Sequence, residues 1–219
     1  MTRPCNCPAL LNSLLSGLVK SQTKGYFLCI ITNMDLIRQL DFSTLSFMEQ
    51  IRAPFLTIFF KAVTVMGEWS FVLGVLVFIS LFFIIKKTSR FNLGVFILWT
   101  VTVGGLGTAF VLKEIFHRSR PIDGLVAETS SSFPSAHAII SIAFYSFVFY
   151  LLARNAKRGF SKYLLISALF LVPILLGFSR LYLGVHYLSD ILAGYAIGDI
   201  WFLIGVYGIK FINRKKLSA

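Results

Sequence analysis

Phe91 to Leu112 reads FNLGVFILWTVTVGGLGTAFVL, an uncharged run that ends at Lys113. A membrane-crossing helix needs about 20 apolar residues, and this run supplies them. Four more runs repeat the pattern. Trp69 to Ile85 ends at Lys86 and Lys87, and Ala138 to Ala153 lies between His137 and Arg154. Tyr163 to Ser179 lies between Lys162 and Arg180, and Ile191 to Ile209 is interrupted only by Asp199. In lipid, backbone polar groups must be satisfied within the segment, which favours helices. The expected fold class is all-α: an integral membrane helical bundle of about six transmembrane helices, the first of them the weakest.

Composition agrees with this reading. Of the 219 residues 57% are hydrophobic and 14% charged, against about 25% charged in soluble domains. The surplus of apolar surface has to face membrane lipids. A net charge of +12 would suggest nucleic acid in a soluble chain. Here the basic residues sit in short clusters between apolar runs, as topology signals do, so no nucleic-acid partner is expected. Three cysteines, Cys5, Cys7 and Cys29, imply no disulfide framework. Cys5-Asn6-Cys7 reads as an incidental tail feature, since no further Cys or His lies close by.

The N-terminal part is harder to read. Pro8 to Thr32 is partly apolar but holds Lys20 and Lys24, a weak first span. Asp41 to Val65 mixes apolar residues with Asp41, Glu49, Arg52 and Lys61, which fits an amphipathic helix in the interface. Gly67 would permit the turn into the Trp69 run. A cleaved signal peptide fits poorly. The expected division is an N-terminal segment 1–50, a membrane-embedded domain 51–212 and a basic cytoplasmic tail 213–219.

Basic residues also set orientation. Lys86, Lys87 and Arg90, then Arg154, Lys157, Arg158 and Lys162, then Lys210, Arg214, Lys215 and Lys216 fall on one side if the five runs alternate. Positive residues mark the cytoplasmic side. The connections Lys113–His137 and Arg180–Asp190 then face outward. All three histidines, His117, His137 and His186, lie in or at the edge of these two connections, with Lys113, Arg118, Arg120 and Arg180. Snorkelling at helix ends would explain the cations, but not the spacing of the histidines and acids around them.

His186 and Asp190 are four apart and would share one helix face. The carboxylate could fix one imidazole tautomer and leave the other nitrogen free to attack. A structural His–Asp pair is the plainer alternative. Lys113 and Arg120, seven apart, would share a face if the helix reached Arg120, although Pro121 disfavours that. Two fixed cations suggest an anion, with Arg suited to phosphate. In Phe133-Pro134-Ser135-Ala136-His137, Pro134 suits a first helical turn and Ser130 to Ser132 could supply the cap. A helix N-terminus there would favour an anion. No magnesium, calcium or zinc ligand set stands out in the sequence, so neither metal nor cofactor is expected.

These residues resemble the type 2 phosphatidic acid phosphatases, whose site is shared with vanadium haloperoxidases. The resemblance rests on Lys113 with Arg120-Pro121, on Pro134-Ser135-Ala136-His137, and on Ser179-Arg180 with His186 and Asp190. It extends over about Arg52 to Ile209. It implies that His186 attacks phosphorus and forms a phosphohistidine, that Asp190 orients it, and that His137 protonates the leaving oxygen and then activates water. Lys113, Arg120, Arg180, Ser135 and the Ala136 N–H would bind the phosphate. The implied substrate is a lipid phosphate or pyrophosphate: undecaprenyl pyrophosphate, phosphatidic acid or phosphatidylglycerophosphate. The implied location is the plasma (inner) membrane, with the site on the extracytoplasmic face.

The family usually has Gly at the position of Ala136. Alanine suits a helical residue there and would be strained at positive φ. Alternatives on the same residues are a haloperoxidase, which membrane embedding disfavours, a lipid-carrier phosphotransferase, and a non-catalytic lipid-phosphate-binding or transport protein. His117 reads as an interfacial contact, Asp123 and Glu128 as solvated loop acids, and Asp199 as a hydrogen-bonding group inside the bundle. Pro173 reads as a kink.

Overall fold

A computed structural model describes residues 23–85 and 89–217. The Cys5–Cys7 tail, residues 8–22 of the weak first span, and Lys86–Lys87 lie outside the described residues. Among the described residues seven helical segments follow in order: α1 Thr23–Gln50, α2 Pro54–Val65, α3 Trp69–Ile85, α4 Ser89–Phe116, α5 Ala136–Asn155, α6 Phe160–Tyr182 and α7 Leu188–Leu217. The chain divides into two units, one up to Leu40 and one from Asp41 onward. In the first unit α1 exposes Met34, Leu36, Ile37 and Leu40.

All five apolar runs are helical, and most extend a few residues beyond the charges that bounded them. Among the described residues, four helices are long and apolar enough to cross a membrane, and five spans result if the bent pair α2 and α3 counts as one. Large apolar side chains such as Phe78, Ile85, Phe96 and Phe170 face outward, as expected where lipid is the solvent. The chain is an all-α integral membrane bundle.

The stretch from Asp41 to Val65 is not one amphipathic helix. It breaks at residues 51–53, and Pro54 opens α2, where its fixed φ and missing N–H are harmless. Tyr182 stitches this break: its Oη accepts the Ala53 N–H at 2.9 Å and lies 3.3 Å from Thr57 Oγ1. A second break, around Gly67, bends α3 by 50° from α2. The 17 described residues of α3 are marginal for a bilayer alone, whereas α2 and α3 taken together are long and apolar enough.

Two clusters of buried side chains hold the unit together. One packs Val72, Leu76, Leu98, Val101, Phe144 and Phe147 between α3, α4 and α5. The other packs Phe60 of α2 with Leu181 and Tyr182 of α6, with Leu183 and with Ile191 of α7. α5 carries a π-helical stretch, Ser141–Ser146, of a kind frequent near functional sites. Within it Tyr145 Oη donates to the Met66 carbonyl at 2.6 Å, clasping the α2–α3 break. α6 runs through Pro173. Proline removes the N–H that would serve the Leu169 carbonyl, and Ser146 Oγ donates to that carbonyl instead at 2.9 Å. Asp199 departs from expectation: it is exposed on the outer flank of α7 rather than bonded inside the bundle.

Candidate active site

The site forms where the ends of α4, α5 and α6 meet the turn before α7. α4 ends at Phe116, and His117, exposed at φ 45°, turns the chain away. Arg120 therefore reaches the site from an irregular segment, in keeping with Pro121 disfavouring helix at that position. Lys113, in the last turn of α4, donates to the Ser131 carbonyl. Arg120 donates to the Ser130 carbonyl at 2.7 Å and to the Val185 carbonyl at 2.9 Å. These bonds aim the guanidinium at His186, whose Nε2 lies 3.2 Å from Arg120 Nη1.

That contact fixes the tautomer. A guanidinium only donates, so Nε2 must carry its lone pair and Nδ1 the proton. Nδ1 faces Asp190 Oδ2 at 3.5 Å, an ion-pair distance longer than a good hydrogen bond. The pairing does not come from a shared helix face. His186 precedes α7, and Asp190 Oδ2 accepts the Tyr187 N–H at 2.9 Å. This is the return bond of a capping box, three residues into the helix. His186 and Asp190 are almost fully buried, at 1% and 0% exposure. Burial first, then Arg180, Arg120 and Lys113, hold the His186 imidazole well below its ordinary value of 6.5. It is neutral at pH 7.

The start of α5 differs from the expected cap. Ser135, not the preceding serines, is the N-cap, its Oγ accepting the Ala138 N–H at 3.4 Å. Pro134 lies before the helix. Ala136 is the first helical residue and is free of positive φ, so its methyl group is unstrained where the family usually has Gly. Ser135 is wholly buried and does not line the cavity. Ala136 and His137 do, and His137 Nε2 has no hydrogen-bond partner among the described residues.

Arg180, at the end of α6, is buried to 1% exposure. It donates to Thr64 Oγ1 of α2 at 2.8 Å and to Glu128. Glu128 also lies 3.5 Å from Arg120. It is therefore no solvated loop acid but a member of the site. Thr64 and Glu128 were missed because their bonds to Arg180 span more than 50 residues of sequence, and neither falls in a motif. Asp123 is exposed, as expected, while its carbonyl accepts from Arg52 at 3.1 Å.

Lys113, Arg120, Arg180, His137 and His186 thus converge on one cavity of about 630 Å³. Its other wall is apolar: Trp69 of α3, Val103, Leu106 and Phe110 of α4, and Ile140 of α5. Three cations, a neutral imidazole whose Nε2 lone pair faces Arg120 and a second imidazole can bind an anion, attack it and exchange a proton with it.

A family model described as the PAP2 superfamily matches residues 93–214. The chain belongs to the PAP2 superfamily. Phosphatidylglycerophosphatase B of Bacillus subtilis (strain 168) is 32% identical over 160 residues, covering 70% of this chain and 75% of that relative. The crystal structure of a transmembrane PAP2-type phosphatidylglycerolphosphate phosphatase from Bacillus subtilis is similar at TM-score 0.71 and 27% identity, over 87% of this chain and 93% of the other. The crystal structure of Aquifex aeolicus LpxE shares the fold at TM-score 0.58 and 24% identity, over 80% of this chain and 94% of the other. This PAP2 chain is an integral membrane lipid phosphatase.

Proposed function

We propose that this enzyme hydrolyses its lipid phosphate without a metal, through a phosphohistidine on His186, at the extracytoplasmic face of the plasma (inner) membrane. One observation carries the reading. A single cavity has three cations and two imidazoles on one wall and apolar residues of α3, α4 and α5 on the other. A molecule with a phosphate head and a hydrocarbon tail matches both walls.

The phosphate lies against Lys113, Arg120 and Arg180, which neutralise charge on the transferring group. The lone pair on His186 Nε2 forms a bond to phosphorus as the bond to the lipid oxygen breaks. His137 gives that oxygen a proton. Neutral His137 then takes a proton from water as the water oxygen attacks phosphorus. The N–P bond breaks, phosphate leaves, and His137 is again protonated. Asp190 holds the Nδ1–H tautomer throughout. Ser135 serves by capping the helix that presents the Ala136 N–H and His137.

Phosphatidylglycerophosphate is the first substrate to assay, because the Bacillus relative is named for it. Undecaprenyl pyrophosphate and phosphatidic acid complete the series. Purified chain in detergent should release inorganic phosphate to water from at least one of the three. His186→Ala should abolish release and the acid-labile phosphoenzyme while retaining the fold. Unchanged release by that variant would overturn the mechanism, and phosphate passed to a lipid acceptor would make the enzyme a phosphotransferase.

A further inference from the structure

Asp41 belongs to α1, outside the family-matched residues 93–214. Its side chain is nonetheless buried beside the site, at 1% exposure. A carboxylate that dry needs donors to balance its desolvation, and it has three. Oδ1 accepts the Ser189 N–H at 2.8 Å, and Oδ2 accepts from Ser189 Oγ at 2.7 Å and from Arg118 Nη2 at 2.8 Å. Arg118 turns its other arm to Asp190 Oδ1 at 2.6 Å and to Ser189 Oγ at 2.7 Å. Its guanidinium lies 4.3 Å from the centre of the Tyr187 ring, and the edge of that ring meets Phe42. Both oxygens of Asp190 are thereby assigned: Oδ1 to Arg118, Oδ2 to the Tyr187 N–H and the His186 ring.

We infer that Asp41 and Arg118 are a positioning pair for catalysis: Asp41 aims Arg118, Arg118 fixes the Asp190 carboxylate, and Asp190 orients His186. The inference rests on His186 being the nucleophile. Two physical effects support it. Arg118 forks between two carboxylates and a hydroxyl, a geometry a lysine cannot copy. Arg118 alone would also neutralise Asp190, and Asp41 restores one net negative charge behind the ring, where positive charge develops as Nε2 bonds to phosphorus. Neither residue lines the cavity, so the pair acts on turnover and not on phosphate binding.

The test is Asp41→Asn in the full chain in detergent, with lipid phosphate hydrolysis and inhibition by inorganic phosphate both measured. A kcat roughly tenfold or more lower is expected, as for other outer partners that orient a reacting group, with KM and phosphate inhibition within about threefold of wild type. Unchanged kcat in a folded variant overturns the pair, and so does a parallel loss of phosphate binding, which would mark a merely structural contact. If Asp41→Asn does not fold, Arg118→Lys carries the test under the same two criteria, since Arg118 is only partly buried. The double variant should fall no further than the worse single one; additive losses contradict a shared role. An active His186→Ala overturns the nucleophile reading underneath. An inactive His186→Ala beside a fully active Asp41→Asn overturns the pair alone.

Discussion

Glu128 holds its carboxylate between Arg120 and Arg180, in the cavity where a phosphate needs the same two guanidiniums. Carboxylate and phosphate compete for one set of donors. Glu128→Gln removes the competing charge and keeps the shape, so inorganic phosphate should inhibit at roughly tenfold lower concentration, about 1.4 kcal/mol. Weaker inhibition would mean that Glu128 instead holds the arginines ready. His186 supports a second expectation. Its folded value lies well below 6.5, so below pH 6.5 the unfolded chain binds a proton that the folded chain does not. Stability from this group is complete above pH 6.5 and falls as pH drops toward the folded value, at about 1.4 kcal/mol per pH unit. Thermal unfolding followed from pH 7 downward should show wild type losing stability faster than His186→Gln; equal slopes would refute the assignment. The motif residues were legible because chemistry restricts their types and spacing. The roles of Glu128, Thr64, Arg118 and Asp41 were not, because ion pairs and hydrogen bonds that bridge distant segments leave no periodic signal.

Helix ends were legible from charge, since lysines and arginines stop an apolar run at the membrane surface. The breaks in helices were less so. Gly67 and Pro54 mark them locally, but the break between α1 and α2 is held by Tyr182 and the bend between α2 and α3 by Tyr145, both distant in sequence. The π-helical stretch of α5 is equally a tertiary product. One contact decides how α5 sits on α7. A Cβ on Gly194 would lie 2.7 Å from Ala138 Cβ and 2.8 Å from the Ser135 carbonyl, and one on Gly198 would lie 2.8 Å from the Ile139 carbonyl. Glycine four residues apart lets two helix backbones approach closely, and here it seats the Ser135 cap and His137 against the turn that carries His186 and Asp190. Gly194→Ala meets backbone and a methyl group that cannot rotate away. It should destabilise by about 1–3 kcal/mol and lower kcat, read by thermal unfolding and by phosphate release. Gly74→Ala, with nothing within 4 Å of the new methyl, should leave both unchanged. Equal behaviour of the two variants would show that the α5–α7 approach does not govern the site.

Across the whole molecule, α5 links the two surfaces of the membrane. Its first turn presents His137 to the cavity and its last turn carries Arg154. Twenty residues of helix separate these ends by about 30 Å, the thickness of the hydrocarbon layer. The site and the basic Arg154–Lys162 connection therefore lie at opposite faces. If positive connections stay cytoplasmic, the proposed orientation has the Glu128 loop, His137 and His186 outside. In that orientation a lipid phosphate meets the cations from the outer leaflet with its tail along Trp69 and Phe110. Exposed Asp123 tests this without touching the cavity. In a background with Cys5, Cys7 and Cys29 replaced by serine, Asp123→Cys in intact cells should react with a membrane-impermeant maleimide, and Lys157→Cys should react only after permeabilisation. The reverse pattern would put the site on the cytoplasmic face and the lipid substrate in the inner leaflet.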